Sequence, residues 1–546
     1  VNDTITLKRY IEGRYKANVG LKYVLLVGNR YDVRPLLRKG RGTGLSDSDI
    51  AYGQLRGHDS YSEVYVGRFS VSTPAELDIM VRRTIAYERD VKVGATWLSG
   101  GLTISSAREE GIGDNGETDP EHALLMRSHL LSGGYAPVDT LFDAQGELVS
   151  ADMVRNILNR GVGVVTYTGH GGYQDWVTSR FSVADVSQLT NTQAWPFVFD
   201  VACDNGRMQQ TPGPCLAEAL TRASLQGQPT GVLAINACSD LQDWASPMAA
   251  QDAMVDYISG HRSTVGITEN GQLTYGAVTA NAVGVMLDKY GDMVARSTAD
   301  TWNLFGDPTV FLRTKPPRTM NVHHLDTIHV GASEFQLQCD VDGALAVLTV
   351  RSATDEARYY LGRVVGGVAQ LQGLSITSGD SAVLTVTAPN LQTVVERVEV
   401  ADTSSYPFTF KNVELKGKEG EILLKCAPGD EATVHADLCY RGDEASSGPL
   451  RLSCRLEPAS LGSVTLDSQP LPVFPPNKCS EHLRLATLKI SETAKDGAKG
   501  VVKFAIRENG RLVGFYSLPI SVARPELCID SVAIVADGSG DGRVDA

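Results

Sequence analysis

At Lys315-Pro316-Pro317 the pattern of this 546-residue chain changes, and that break constrains the fold more than any other feature. Before it, short apolar runs alternate with amphipathic stretches, the mark of strands and helices built around a mainly parallel sheet. Residues 23–28, 64–67, 162–167, 197–202 and 231–235 read as buried strands. Residues 75–89 and 150–160 read as helices, the second with Ser150 as N-cap. After the break, short strand-like runs are separated by Gly, Asp, Ser and Asn turns, which is β-sandwich text. The expected division is an α/β domain over 1–316, one β-sandwich over 317–400, a second over 401–524, and the start of a further β module over 525–546.

A net charge of -14 with no Lys/Arg cluster argues against a nucleic-acid or anionic-membrane partner, because such partners need a concentrated basic footprint. No run reaches the roughly 18 to 20 apolar residues of a bilayer-spanning helix. The start, Val1-Asn2-Asp3-Thr4, carries no signal-peptide pattern and reads as internal to a longer, processed protein. Nine cysteines, none in a CxxC or zinc spacing, leave at least one thiol unpaired if the rest form bridges; Cys203 is the candidate.

Two apolar runs end abruptly in a small-residue turn that carries one reactive side chain. His170 follows Tyr167-Thr168-Gly169 and precedes Gly171-Gly172; Cys203 follows Phe199-Asp200-Val201-Ala202. Ligands of open α/β sheets bind beyond the carboxyl ends of the strands, so neighbouring strands ending this way bring imidazole and thiol to one edge. Imidazole favours the thiolate and can return the proton to a leaving amine, while the N–H groups of Gly171 and Cys203 suit an oxyanion. Elsewhere, Asp59-Ser60-Tyr61-Ser62-Glu63 sets two acids and a carbonyl on one side of a loop, oxygen ligands that suit Ca²⁺. Asp537-Gly538-Ser539-Gly540-Asp541 also opens like a calcium loop or a solvated acidic turn.

The ordered series Tyr23-Val24-Leu25-Leu26-Val27-Gly28, Glu63-Val64-Tyr65-Val66-Gly67-Arg68-Phe69, Tyr87-Glu88-Arg89, Asp114-Asn115-Gly116-Glu117, Thr168-Gly169-His170-Gly171, Asp200-Val201-Ala202-Cys203, Trp244-Ala245-Ser246-Pro247-Met248 and Leu304-Phe305-Gly306-Asp307-Pro308 resembles the gingipain family of cysteine peptidases, over about residues 1–400. The resemblance implies a caspase-like parallel-sheet catalytic domain followed by an immunoglobulin-like module, with the family's first strand and helix lying before Val1. It implies an endopeptidase with His170 as base and acid and Cys203 as nucleophile. The family's imidazole-orienting Glu falls on Arg108, so Glu109 or Glu110 is expected to substitute.

In arginine-specific members the carboxylate at the pocket floor matches Asp119, and Trp244 and Met248 match apolar pocket residues; cleavage after Arg or Lys is implied. Asp243 and Asp240 are extra acids in this segment and leave the choice between Arg and Lys open. The family's calcium site falls on Arg56 (through its carbonyl), Asp59, Tyr61 and Glu63, with Asn29 where a further Asp stands, so structural Ca²⁺ is expected. Proteins or peptides with basic residues are the expected substrates, secretion or a bacterial cell surface the expected location, with attachment through the C-terminal modules. The competing readings are a catalytically idle adhesion or secretion protein, and a transpeptidase that shares the dyad.

Overall fold

The computed structural model describes residues 3–18, 20–42, 44–106, 112–143, 148–208, 213–268, 272–324, 327–401, 406–467 and 470–524. Glu109, Glu110, Arg108 and the acidic 537–545 loop lie outside these residues.

The α/β part is built on eight strands: β1 (Tyr23–Val27), β2 (Tyr65–Phe69), β3 (Gly101–Ser105), β4 (Val138–Phe142), β5 (Val164–Thr168), β6 (Phe197–Val201), β7 (Ala234–Cys238) and β8 (Trp302–Phe305). Their spatial order is β1-β2-β8-β7-β6-β5-β3-β4. Every neighbouring pair is parallel except β7 and β8. Helices α1 (Thr4–Ala17), α2 (Pro74–Ile85), α3 (Asp119–Ser132), α4 (Ala151–Arg160), α5 (Ala245–Ser259) and α6 (Tyr275–Tyr290) cover this sheet or its edges. Side chains alternate across β6: Phe197, Phe199 and Val201 join a core with Met126 and Leu130 of α3 and Met254 of α5. Val198 joins the opposite core with Leu158 of α4.

Local chemistry explains the helix starts. Thr73 and Thr118 form capping boxes with Glu76 and Glu121, and Ser150 accepts from the Met153 N–H as the sequence predicts. Two expectations shift. The strand read at 231–235 runs Ala234–Cys238, because Gly231 takes a φ of 78° and Val232 and Leu233 are buried before the ladder begins. The helix read at 75–89 ends at Ile85 and continues as a π-helical turn over Ala86–Asp90.

A buried ion pair fixes the sheet to the loop beside it. Arg68 donates to both carboxylate oxygens of Asp49 at 2.6 Å and to the Gly28 carbonyl, with neither side chain of the pair exposed. Asp49 follows a hairpin, Leu36–Lys39 paired with Leu45–Ser48, whose tip reaches the site described below.

Beyond the α/β part, residues 322–401 form sheets of three and five strands around one core that includes Leu348, Leu371 and Leu384. Residues 408–521 form sheets of four and three strands around another, with Val434, Leu488 and Phe504. Arg313 ties the first of these to the α/β part, donating to the Leu391 carbonyl on one side and to the Glu88 carbonyl on the other. Cys203 is a free thiol, as expected, and so are Cys215, Cys238, Cys339, Cys426 and Cys454, while Cys439–Cys479 is a disulfide. Most of these thiols are buried in apolar surroundings, where cysteine packs as a small hydrophobe. Among the described residues no helix is long and apolar enough to cross a membrane.

Arg68→Met leaves Asp49 charged and buried without its partner, and is expected to destabilise the protein by about 3–5 kcal/mol. A denaturant midpoint unchanged from the wild type would refute this role for the pair.

Candidate active site

Strands β5 and β6 are parallel neighbours in a register that pairs Thr168 with Val201. His170 and Cys203 each lie two residues beyond those partners, so both emerge at the same sheet edge. The Gly169 N–H continues the ladder to the Val201 carbonyl at 3.1 Å. Gly171 then passes against the Cys203 backbone so closely that an added Cβ would sit 2.3 Å from the Cys203 carbonyl oxygen and 3.0 Å from its nitrogen. After Cys203 the chain turns through Asp204, a non-glycine residue at φ 58°. The Asp204 N–H is held by the Asp240 carbonyl at 3.0 Å, beyond the end of β7.

The pocket beside Cys203 is lined by Thr168, Gly169, Val201, Ala202, Gln242, Asp243 and Trp244. The Gln242 N–H points at Cys203 Sγ, 3.4 Å away. Burial pushes the Cys203 thiol above its ordinary range, and the Gln242 N–H opposes that push. The His170 imidazole meets the Trp244 ring edge-on, with centroids 5.1 Å apart. Trp244 Nε1 donates to Asp119 Oδ1 at 2.7 Å, and Ser106 Oγ donates to Oδ2. Asp119, first residue of α3, is 1% exposed, and burial raises its pKa. The structure thus brings His170, Gly171, Cys203, Trp244, Asp119 and Asp243 into one neighbourhood.

Met248 does not line this pocket. It lies one turn into α5 and is fully buried, because its side chain packs inward where Trp244, at the helix cap, faces the opening.

Arg41, Ser46 and Gln251, which sequence reading missed, complete the surroundings. Arg41, at the hairpin tip, pairs with Asp243 at 2.9 Å and donates to the Gln242 carbonyl at 2.8 Å. Asp240 accepts from Ser46 Oγ at 3.0 Å and so anchors the same hairpin. Gln251 of α5 is buried beneath the site: its amide donates to the carbonyls of Tyr167 and Phe199, and its oxygen accepts from Thr168 Oγ1 and faces His122 Nε2. Lone polar residues distant in sequence gave no pattern by which to find these contacts.

The expected calcium residues lie elsewhere. Glu63 accepts from the N–H groups of Leu55 and Arg56 at 2.6 and 3.0 Å, and Asp59 from that of Tyr61 at 3.1 Å, so both acids face one loop. Asn29 braces the turn after β1, accepting from the Tyr31 N–H and donating to Ser72.

The sheet and its edge define a caspase-like α/β protein. It belongs to peptidase family C25, whose profile matches residues 1–313. Gingipain R2 of Porphyromonas gingivalis is 36% identical over 400 residues, 73% of this chain and 52% of that relative. The chain spans about half the length of the curated relatives it matches first. Lys-gingipain of the same organism is 25% identical over 226 residues, 41% of this chain and 12% of that protein. The crystal structure of the Arg-specific cysteine proteinase gingipain R matches with a TM-score of 0.67 and 35% identity, covering 73% of this chain and 88% of that one.

Gly171→Ala is expected to cost about 1–3 kcal/mol through the clash with the Cys203 backbone. Chemical denaturation measures it, and a variant as stable as the wild type would contradict the close approach.

Proposed function

We propose that this chain is a cysteine endopeptidase that cleaves after arginine, with Cys203 as nucleophile and His170 as general base and acid. The observation that carries the reading is the β5–β6 register, which delivers imidazole and thiol to one edge with Gly171 against the nucleophile's backbone. A buried thiol held above its ordinary range is a weak nucleophile alone, so His170 takes its proton as Cys203 attacks the scissile carbonyl. The Gly171 and Cys203 N–H groups receive the oxyanion. Imidazolium then protonates the leaving amine, and water, activated by the same imidazole, hydrolyses the acyl-enzyme. Glu109 or Glu110 orients the imidazole.

Asp119, behind Trp244, is the carboxylate for the substrate's basic side chain. Arginine is favoured over lysine because Asp243 is already paired with Arg41 and adds no free charge to the pocket. The relatives at 35–36% identity, among them one described as Arg-specific, support this, against 25% for Lys-gingipain. A structural calcium ion would be held by hard oxygens, the carbonyls of Arg56 and Tyr61 with Asp59, Glu63 and Asn29; the two acids lie on one loop, where they accept from the Arg56 and Tyr61 N–H groups. Secretion, and surface attachment through the β modules, complete the proposal.

Cys203→Ala is expected to abolish cleavage of Arg peptides and His170→Ala to lower kcat/KM at least ~10³-fold. Asp119→Asn is expected to lower kcat/KM for Arg substrates about 30-fold or more. Cleavage by Cys203→Ala equal to the wild type would overturn the assignment, and mass spectrometry of products with an added amine separates hydrolysis from transpeptidation. Chelation is expected to lower the melting temperature of the wild type but not of an Asp59→Asn, Glu63→Gln double variant.

A further inference from the structure

The C-terminal ends of α3 and α5 come together far from the dyad. Gly133, the C-cap of α3, allows the contact: a Cβ there would lie 2.7 Å from Ser259 Cα, in the last residue of α5. Gly260 then adopts φ 84° and reverses the chain, so that the His261 N–H returns to the Asp256 carbonyl at 2.9 Å. This reversal lays the His261 ring over that of His129, with centroids 4.5 Å apart and planes 19° from parallel. His129 Nδ1 is 2.8 Å from Asp256 Oδ1.

We propose that His129, Asp256 and His261 form a binding site for a divalent transition-metal ion of the zinc class. One donor atom from each residue lies within 4.8 Å of the other two, and turning the exposed His261 ring out of its stack on His129 would bring its nitrogen toward the spacing of a tetrahedral site. Two imidazole nitrogens and one carboxylate oxygen select zinc and its neighbours over calcium, which takes oxygen donors. The Oγ atoms of Ser259 and Ser132 lie 2.7 Å from Nδ1 and 3.0 Å from Nε2 of His261, so one hydroxyl orients the ring through the nitrogen that does not bind metal. His261 is exposed, which gives the ion a path in and leaves the fourth position to water.

The site is separate from the peptidase chemistry. His129 lies ten residues along α3 from Asp119, roughly 15 Å at the helical rise. Its consequence for the fold is a clip. Asp119 meets Trp244 at one end of the helix pair, His122 meets Gln251 further along, and the metal fastens the other end.

The test uses the full chain carrying Cys203→Ala, which removes the pocket thiol as a competing ligand, in excess Ca²⁺ to fill oxygen sites. Calorimetry with Zn²⁺ and absorption with Co²⁺ are expected to show one ion per chain, at least ~10-fold weaker in His129→Ala and in His261→Ala. Zn²⁺ is also expected to raise the melting temperature of the parent but not of His261→Ala, whose exposed side chain is not needed for folding. Glu117→Gln, in a separate acidic cluster around His122, is expected to bind as the parent does. No binding, binding unchanged in both histidine variants, or loss confined to Glu117→Gln would each overturn the site. The readout is metal affinity, so it stands or falls independently of peptidase activity.

Discussion

The site depends on one geometric constraint, the parallel register of β5 and β6. Hydrogen bonds along two parallel strands fix their relative position to the residue, and pairing Thr168 with Val201 sets His170 and Cys203 at equal distance beyond the ladder. A slip of one residue would also turn alternate side chains to the wrong face. Phe199 would then leave the core shared with α3 and α5, and Val198 the core shared with α4. Core packing on both faces therefore holds the register that the chemistry needs. Gly171 extends the same constraint past the strand ends, since only a residue without a side chain can pass so near Cys203.

The pocket is assembled differently, from helix starts. Asp119 and Trp244 stand at the N-terminal ends of α3 and α5, and their hydrogen bond joins the two helices where they meet the sheet edge. The carboxylate is withdrawn from water, which raises its pKa, and the two neutral donors that hold it oppose that rise. Asp243 has the opposite fate. Its pairing with Arg41 depends on a hairpin whose base is fixed by the Arg68–Asp49 pair on the far side of β8. A buried salt bridge thus bears on a pocket it does not touch.

The strands that sequence reading located are continuous apolar runs, as buried parallel strands must be. Those it passed over have other text. β3, Gly101–Ser105, and β4, Val138–Phe142, interleave Thr, Ser and Asp with apolar residues, and the short β8 follows directly on a helix. At the site, His170, Cys203, Asp119 and Trp244 were legible because each sits in a local pattern at a strand or helix end. Trp244 and Met248 share one motif, yet a turn of helix separates them: Trp244 stands at the helix cap beside the pocket, and Met248 is fully buried.

The sequence by itself determined the change from α/β to β architecture near residue 316, the strand ends that carry the thiol and imidazole, and the family that the ordered motifs resemble. Local periodicity and turn chemistry record such features within a dozen residues. Only the tertiary structure decided that Arg41 neutralises Asp243, that Gln251 braces β5 and β6, that Cys439 pairs with Cys479, and that His129 meets Asp256 and His261. Each of these joins residues 40 to 202 positions apart, where contact follows from how helices and hairpins pack and leaves no mark on the sequence between them.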